Sequence, residues 1–454
     1  DSTVECLVPP GSGTKHKVFL TVAGQTYPPE GVEPLLFSYQ GPEVISVFPA
    51  HGSTEGMYDL VLTGRNFGTM YHLPNVFVDG VPCTSVKWVS NTVIKCLAPA
   101  GHGKDKSVVV WTGDQHSRLD NTDFSYDSPI VESITPAKCP TYGGCKVTIK
   151  GRNFGHEQGQ HMQVKVGNYL CKTLGRGDQP LWLNQRTLEC FVEPGVGGKL
   201  NVQVTISGLV SVPNDYFSYD LPTVNSILPR HGTCEGGAIV NITGTNFGTF
   251  DSAPTVFIKG KKCQWTQWIS DNKLVCKTPS GYGSDVKTTV QVANQYSADT
   301  LLKQEAHFEY DPPEIHSVSA HNGPAIGGAS LYLTGVNFAP DAQVVFNDME
   351  AVGSKYVPCK STKWISYEEL LCSTPGGISV NHTIHIVSGG KRFFQTKVAG
   401  ARFIQECGEP EIPKDGSMDG TNRKEGGRVV YTCKTGYTLV GDAVRECKRG
   451  KWTG

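Results

Sequence analysis

The chain has 454 residues, of which 18% are charged, and a formal net charge of −1. A surface so close to neutral has no field to hold a phosphate backbone or an anionic membrane face, which argues against nucleic acid as a partner. No stretch approaches ~18 uninterrupted apolar residues, so no membrane insertion is expected within this segment, and Asp1 to Pro10 lack the basic and apolar regions of a leader peptide.

At about 100–150 residues per domain the length implies three to five domains. The 52 Gly and 28 Pro imply frequent turns. In chain order, the first signal is a repeat. A phrase Thr/Lys-Gly-x-Asn-Phe recurs around Asn66, Asn153, Asn246 and Asn337, at intervals of 87, 93 and 91 residues. A Phe-x-Tyr phrase keeps the same intervals at Phe37, Phe124, Phe217 and Phe308, with Phe403 closing the series. Each Phe-x-Tyr phrase runs directly into an alternating segment such as PIVESITP or PTVNSILP, so the repeats abut without flexible linkers.

Within each repeat the apolar residues alternate, as in YDLVLTG, CKVTIKG, AIVNITG and SLYLTG. Period-two alternation in short runs separated by Gly, Pro and Asn predicts half-buried antiparallel strands stacked as sandwiches, an all-β chain with no helix of consequence. The expected organisation is a half-repeat at 1–41, full repeats at 42–128, 129–221, 222–312 and 313–405, and a different segment at 406–454.

The cysteines follow the same register. Cys83 and Cys96, Cys263 and Cys276, and Cys359 and Cys372 are each 13 apart, with Trp88, Trp268 and Trp364 five residues after the first member. The pattern implies a disulfide in each of these repeats, and hence an oxidising compartment. In the second full repeat the pair is Cys171 and Cys190; Trp182 stands 11 residues after Cys171, so six residues are inserted between them. Cys139 and Cys145 flank Pro-Thr-Tyr-Gly-Gly and are expected to close a tight local loop.

These features resemble tandem IPT/TIG domains, the immunoglobulin-like modules of plexin-, Met- and fibrocystin-type ectodomains. The resemblance rests on the Pro-x-x-Gly openings at Pro49/Gly52 and Pro229/Gly232, the Gly-x-Asn-Phe phrases, the Cys pairs and the Phe-x-Tyr closings, and it covers residues 1 to 405. From Cys407 the chain is similar to a Sushi (complement control protein) module, through Cys407-Gly-Glu-Pro, VVYTC at Cys433, REC at Cys447 and Trp452. That resemblance implies pairing of Cys407 with Cys447 and leaves Cys433 without a partner. It also makes 1–41 the last half of an IPT/TIG module with Cys6 in place of its second cysteine, and the whole chain an internal slice of a longer ectodomain.

Gly-rich stretches at Pro10, Ala100, Gly195 and Ser280 could be phosphate cradles, but they recur at one offset after the second cysteine, as turns do. The 13 His form no ligand set of metal-binding spacing, and no catalytic elbow or EF-hand loop is present. No enzyme activity, cofactor or metal is expected. The four recurring Trp fit packing beside a disulfide better than sugar-stacking platforms. Arg176-Gly177-Asp178 lies in the six-residue insertion and resembles the tripeptide by which matrix proteins engage integrins; the alternative is a solvated loop. Asn241 and Asn381 head glycosylation sequons. Cys234 has no obvious mate and is either a free thiol or a cross-link to another chain.

Four functions are weighed. One is an extracellular adhesion or recognition protein whose abutting sandwiches form a semi-rigid stalk, binding other extracellular proteins, copies of itself or an integrin-like receptor. The others are a subunit of an extracellular filament or coat, a glycan-binding accessory region of a secreted enzyme, and a relative of the Rel-type DNA-binding modules. Neutral charge and paired cysteines oppose the last.

Overall fold

The computed structural model of the chain describes residues 3–118, 124–156, 161–173, 179–298, 304–320, 322–324, 327–348, 355–376, 382–393, 402–424, 426–448 and 450–453. It is an all-β protein: among the described residues the helical content is one 3-10 turn, Gln304–Ala306. The chain divides into two units, Asp1–Asp220 and Leu221–Gly454.

In the first unit, the first full repeat packs two four-stranded sheets face to face. One runs Thr84–Ser90, Val93–Leu97, Asp59–Arg65, Glu43–Phe48; the other runs Gln115–His116, Val108–Thr112, Asn75–Val78, Val81–Pro82. Alternation puts Leu60 and Leu62 inward from one sheet and Val76, Val78, Val108 and Val110 from the other. Each fully buried side chain of this size contributes roughly 1.5–3 kcal/mol relative to exposure. The second full repeat departs from this plan. Tyr169–Lys172 pairs with Thr187–Val192 on one side and with Met162–Val166 on the other, which joins the two sheets into one continuous ladder.

In the second unit, the third and fourth full repeats each form a four-stranded sheet packed on a six-stranded one. The final segment is a separate four-stranded sheet of Gly416–Asp419, Arg428–Cys433, Val444–Lys448 and Lys451–Trp452.

The Gly-x-Asn-Phe phrase acquires a physical meaning here. The strand before it bulges opposite the glycine, with the register slipping between Val44 and Ser46, Val131 and Ser133, Val224 and Ser226, and Ile315 and Ser317. A Cβ on Gly64 would lie 2.0 Å from the Glu43 carbonyl oxygen, and the same approach recurs at Gly151, Gly244 and Gly335. Only glycine admits a bulged backbone this close. The Asn adopts φ of 60–62° in all four repeats, a left-handed conformation that Asn tolerates better than most residues. The Phe that follows, Phe67, Phe154, Phe247 or Phe338, is fully buried.

The Phe-x-Tyr phrase anchors the other end of each sandwich. Phe124, Phe217 and Phe308 are fully buried, and each Tyr ring meets its Phe edge to face at 5.1–5.4 Å. Tyr126 donates to the Pro99 carbonyl at 3.0 Å, Tyr219 to Glu193 at 2.7 Å and Tyr310 to Pro279 at 2.9 Å. Burial is the main cause that pushes these three phenols up from their usual range. The Gly-rich turns exist to receive these rings: a Cβ on Gly101 or Gly281 would lie 2.4 Å from the tyrosine.

Disulfides join Cys139–Cys145, Cys171–Cys190, Cys263–Cys276, Cys359–Cys372 and Cys407–Cys447. The bond expected between Cys83 and Cys96 is a correction, because both sulfurs are buried thiols. A hydrogen bond to Cys96, and then burial, push the Cys83 thiol up. The difference from its counterpart is one of register. Trp265 pairs with Lys277 and the ladder runs unbroken to Trp268, whereas Thr84 pairs with Leu97 and a second bulge intervenes before Lys87, with Ser85 at φ 51°. The residue next to Cys83 is therefore out of step with the strand that carries Cys96. Cys6 is an exposed thiol, Cys234 a buried one and Cys433 a half-buried one.

Candidate functional site

The most built feature outside the cores is the joint between successive repeats. Each clamp Asn reaches back 25 residues to the segment that enters its repeat. Asn66 donates to the Gly41 carbonyl at 3.1 Å, Asn153 to Ser128 at 3.2 Å, Asn246 to Leu221 at 3.1 Å and Asn337 to Pro312 at 3.2 Å. The left-handed backbone aims the amide along the connection instead of into the sandwich.

Within each unit the same side chain also holds the preceding repeat. The Asn153 carbonyl oxygen accepts from the Ser53 hydroxyl at 3.3 Å and the Thr54 amide at 3.4 Å, and that of Asn337 accepts from the Cys234 amide at 3.4 Å. A hairpin turn supplies a second contact. Asp114 receives the Thr14 amide at 2.8 Å and the Thr14 hydroxyl, and that hydroxyl bond is the leading cause that lowers the Asp114 carboxyl from its usual range. Gln115 bridges the Gly13 amide at 3.2 Å and the Tyr39 carbonyl at 2.9 Å. Arg186 and Glu55 form an exposed ion pair at 3.1 Å between the first and second full repeats, a contact worth little by itself. Fixed backbone contacts of this kind hold position; they perform no chemistry.

The residues singled out from the sequence fall in different places. Arg176, Gly177 and Asp178 lie outside the described residues, as does Asn381. Asn241 is exposed on the strand Ile239–Thr245, and Thr243 of its sequon bonds Ser226 at 2.7 Å. The four Trp are half-buried, and Trp88, Trp182 and Trp364 pack on the cores of their repeats. Trp182 donates to the Phe154 carbonyl at 3.0 Å, Trp268 to Gly248 at 3.1 Å and Trp364 to Phe338 at 2.5 Å, but the buried Trp88 nitrogen has no partner. Trp88 lines a groove of about 940 Å³ together with Tyr39, Met70 and Tyr71. Burial pushes the Cys234 thiol up to about 12, and in this position its sulfur cannot meet another chain without local opening. Among the described residues no cluster of His, Cys, Asp and Glu could hold a metal ion, and no helix is long and apolar enough to cross a membrane. The clamp role of the Asn was missed from sequence, although its fixed place in every repeat was the available signal.

Sandwiches held to the preceding repeat by Asn153 and Asn337 within each unit, with bridges in the second, third and fourth full repeats, define a tandem immunoglobulin-like chain. The IPT/TIG domain matches residues 42–126, 129–219, 222–310 and 313–403, and a Sushi repeat (SCR repeat) matches 407–454. The chain belongs to the IPT/TIG domain family. It is 26% identical to fibrocystin-L of Mus musculus over 436 residues, 91% of this chain and 10% of that protein. It is likewise 26% identical to fibrocystin-L of Homo sapiens over 353 residues, 76% of this chain and 8% of that protein. The chain thus spans about a tenth of the length of these curated relatives. Among solved structures it is similar to the plexin A4 full extracellular region, domains 1 to 10, at 16% identity and a TM-score of 0.21, covering 90% of this chain and 42% of that one. Its domain types and bridges are those of an extracellular protein or an ectodomain, and they support a role in recognition or adhesion.

Proposed function

We propose that this chain is a non-catalytic, semi-rigid spacer of an extracellular protein, and that it presents binding surfaces to other extracellular proteins. The observation that carries this reading is the double engagement of Asn153 and Asn337, each of which ties the connection with one end of its amide and the preceding repeat with the other. Connections tied at both ends, with no free linker residues, resist bending as a flexible linker does not.

The test is a distance distribution within the first unit. Spin labels carried by non-canonical residues at the exposed positions Lys95 and Lys150 would report across one joint. A narrow distribution that broadens on Asn153→Ala is the expected result. A distribution already broad in the unaltered chain overturns the spacer reading.

A further inference from the structure

A cavity of about 530 Å³ opens in the second unit between the third and fourth full repeats, lined by Arg230, His231, Ser284, Asp285, His307, Phe308, Glu309 and Lys391. Its floor is the strand His307–Tyr310, whose first residue pairs with Lys287 and is 8% exposed. His307 Nδ1 lies 2.7 Å from Asp285 Oδ1. A carboxylate only accepts, so Nδ1 carries the proton of this bond and Nε2 is the ring nitrogen left over. Nε2 is buried and has no hydrogen-bond partner, and the same is true of the Ser284 hydroxyl on the same wall. Two orphaned polar atoms at one cavity cost free energy unless something occupies it.

The opposite wall comes from the next repeat. Asp341 holds the turn after His382–Ser388 through the Ser388 hydroxyl and the Gly389 amide, both at 2.7 Å. Gly389 packs so closely on Gly283 that an added Cβ would lie 3.1 Å from its Cα. This contact places Lys391 over the cavity. The set is peculiar to one joint: the positions of Arg230 and His307 are Ala137 and Tyr216 in the second full repeat.

We propose that this cavity binds one residue of an acidic saccharide, with its carboxylate or sulfate against Arg230 and Lys391 and its hydroxyls on Ser284, His307 and Glu309. The lining selects among ligands. A bare anion would meet Asp285 and Glu309 and would fill little of the space. A metal ion would need three ligating groups, which the described residues do not bring together. A peptide side chain would need an apolar anchor, and Phe308 is fully buried. A sugar ring with one acidic group uses both kinds of charge, donors for the acid and acceptors for the hydroxyls.

The test is titration of the full chain with a sulfated heparin disaccharide and with glucuronic acid, read at the ring carbon and proton of His307. That resonance is assigned by its loss in His307→Gln. Glucose and inorganic sulfate are the controls. The expected result is a saturable shift with at least one acidic sugar, at least about tenfold weaker binding of both controls, and about a tenfold loss in Lys391→Ala with its melting temperature unchanged. Absence of a saturable shift overturns the proposal, as does wild-type binding by Lys391→Ala. So does binding of sulfate or glucose as tight as that of the acidic sugar.

Discussion

The first and third full repeats are nearly the same text. Both carry cysteines 13 apart, a Trp five residues after the first, a Gly-x-Asn-Phe phrase and a Phe-x-Tyr closing. They differ at the cysteines and the Trp. Cys263 and Cys276 are bonded and Trp268 donates to Gly248, whereas Cys83 and Cys96 remain thiols and the Trp88 nitrogen is unpartnered. One extra bulge at Ser85 separates the two outcomes. Spacing along a chain brings two cysteines onto neighbouring strands, and in the first repeat the two thiols meet as hydrogen-bond partners without an S–S bond beside a register slip that the third repeat lacks.

The largest effect should be common to both repeats: Phe67→Ala and Phe247→Ala each empty a fully buried site and should cost about 3–5 kcal/mol, read by hydrogen exchange within the altered repeat. Unequal losses would show that the two cores are not equivalent.

The bridge should then divide them. Cys263→Ala with Cys276→Ala should destabilise the third repeat by about 3 kcal/mol, the value for closing a loop of this length. Cys83→Ala with Cys96→Ala should lose only the packing of two sulfurs, and reduction should loosen exchange in the third repeat but not in the first. Equal loosening would mean that Cys83 and Cys96 are bonded.

A smaller effect should again be shared. Tyr126→Phe and Tyr310→Phe each remove one hydroxyl bonded to a turn carbonyl, at about 1 kcal/mol apiece in denaturant unfolding. The smallest difference belongs to the indoles: Trp268→Phe should cost about 1 kcal/mol more than Trp88→Phe, because only Trp268 loses a hydrogen bond. Without any stability change, native alkylation at pH 8 should modify Cys6 and spare Cys83, Cys96 and Cys234. Two of the protected sulfurs are also held protonated, Cys234 with a value near 12.

Much of the fold was legible before any coordinates. Strand periodicity, the two recurring phrases and the cysteine spacing each reflect local or nearest-strand chemistry; the phrases repeat four times and the 13-residue spacing three times, so a pattern stands out from noise. The second full repeat shows the limit. Its six extra residues were visible as an insertion, but nothing in them announces that Tyr169–Lys172 pairs on both sides and fuses two sheets. The cavity was equally hidden: Arg230, Ser284, His307 and Lys391 are scattered over some 160 residues, and Arg230 stands only at a variable position of the Pro-x-x-Gly opening.

By itself the sequence determined an all-β tandem array, its period, the residues that fill its cores and the thiols that neighbour one another. These follow from alternation and spacing, which act over a few residues. It took the tertiary structure to make Asn153 and Asn337 clamps between repeats, to leave Cys83 and Cys96 unbonded, and to line a charged cavity at one joint with a buried histidine. Those outcomes depend on strand register and on contacts between residues of different repeats, to which no local pattern is sensitive.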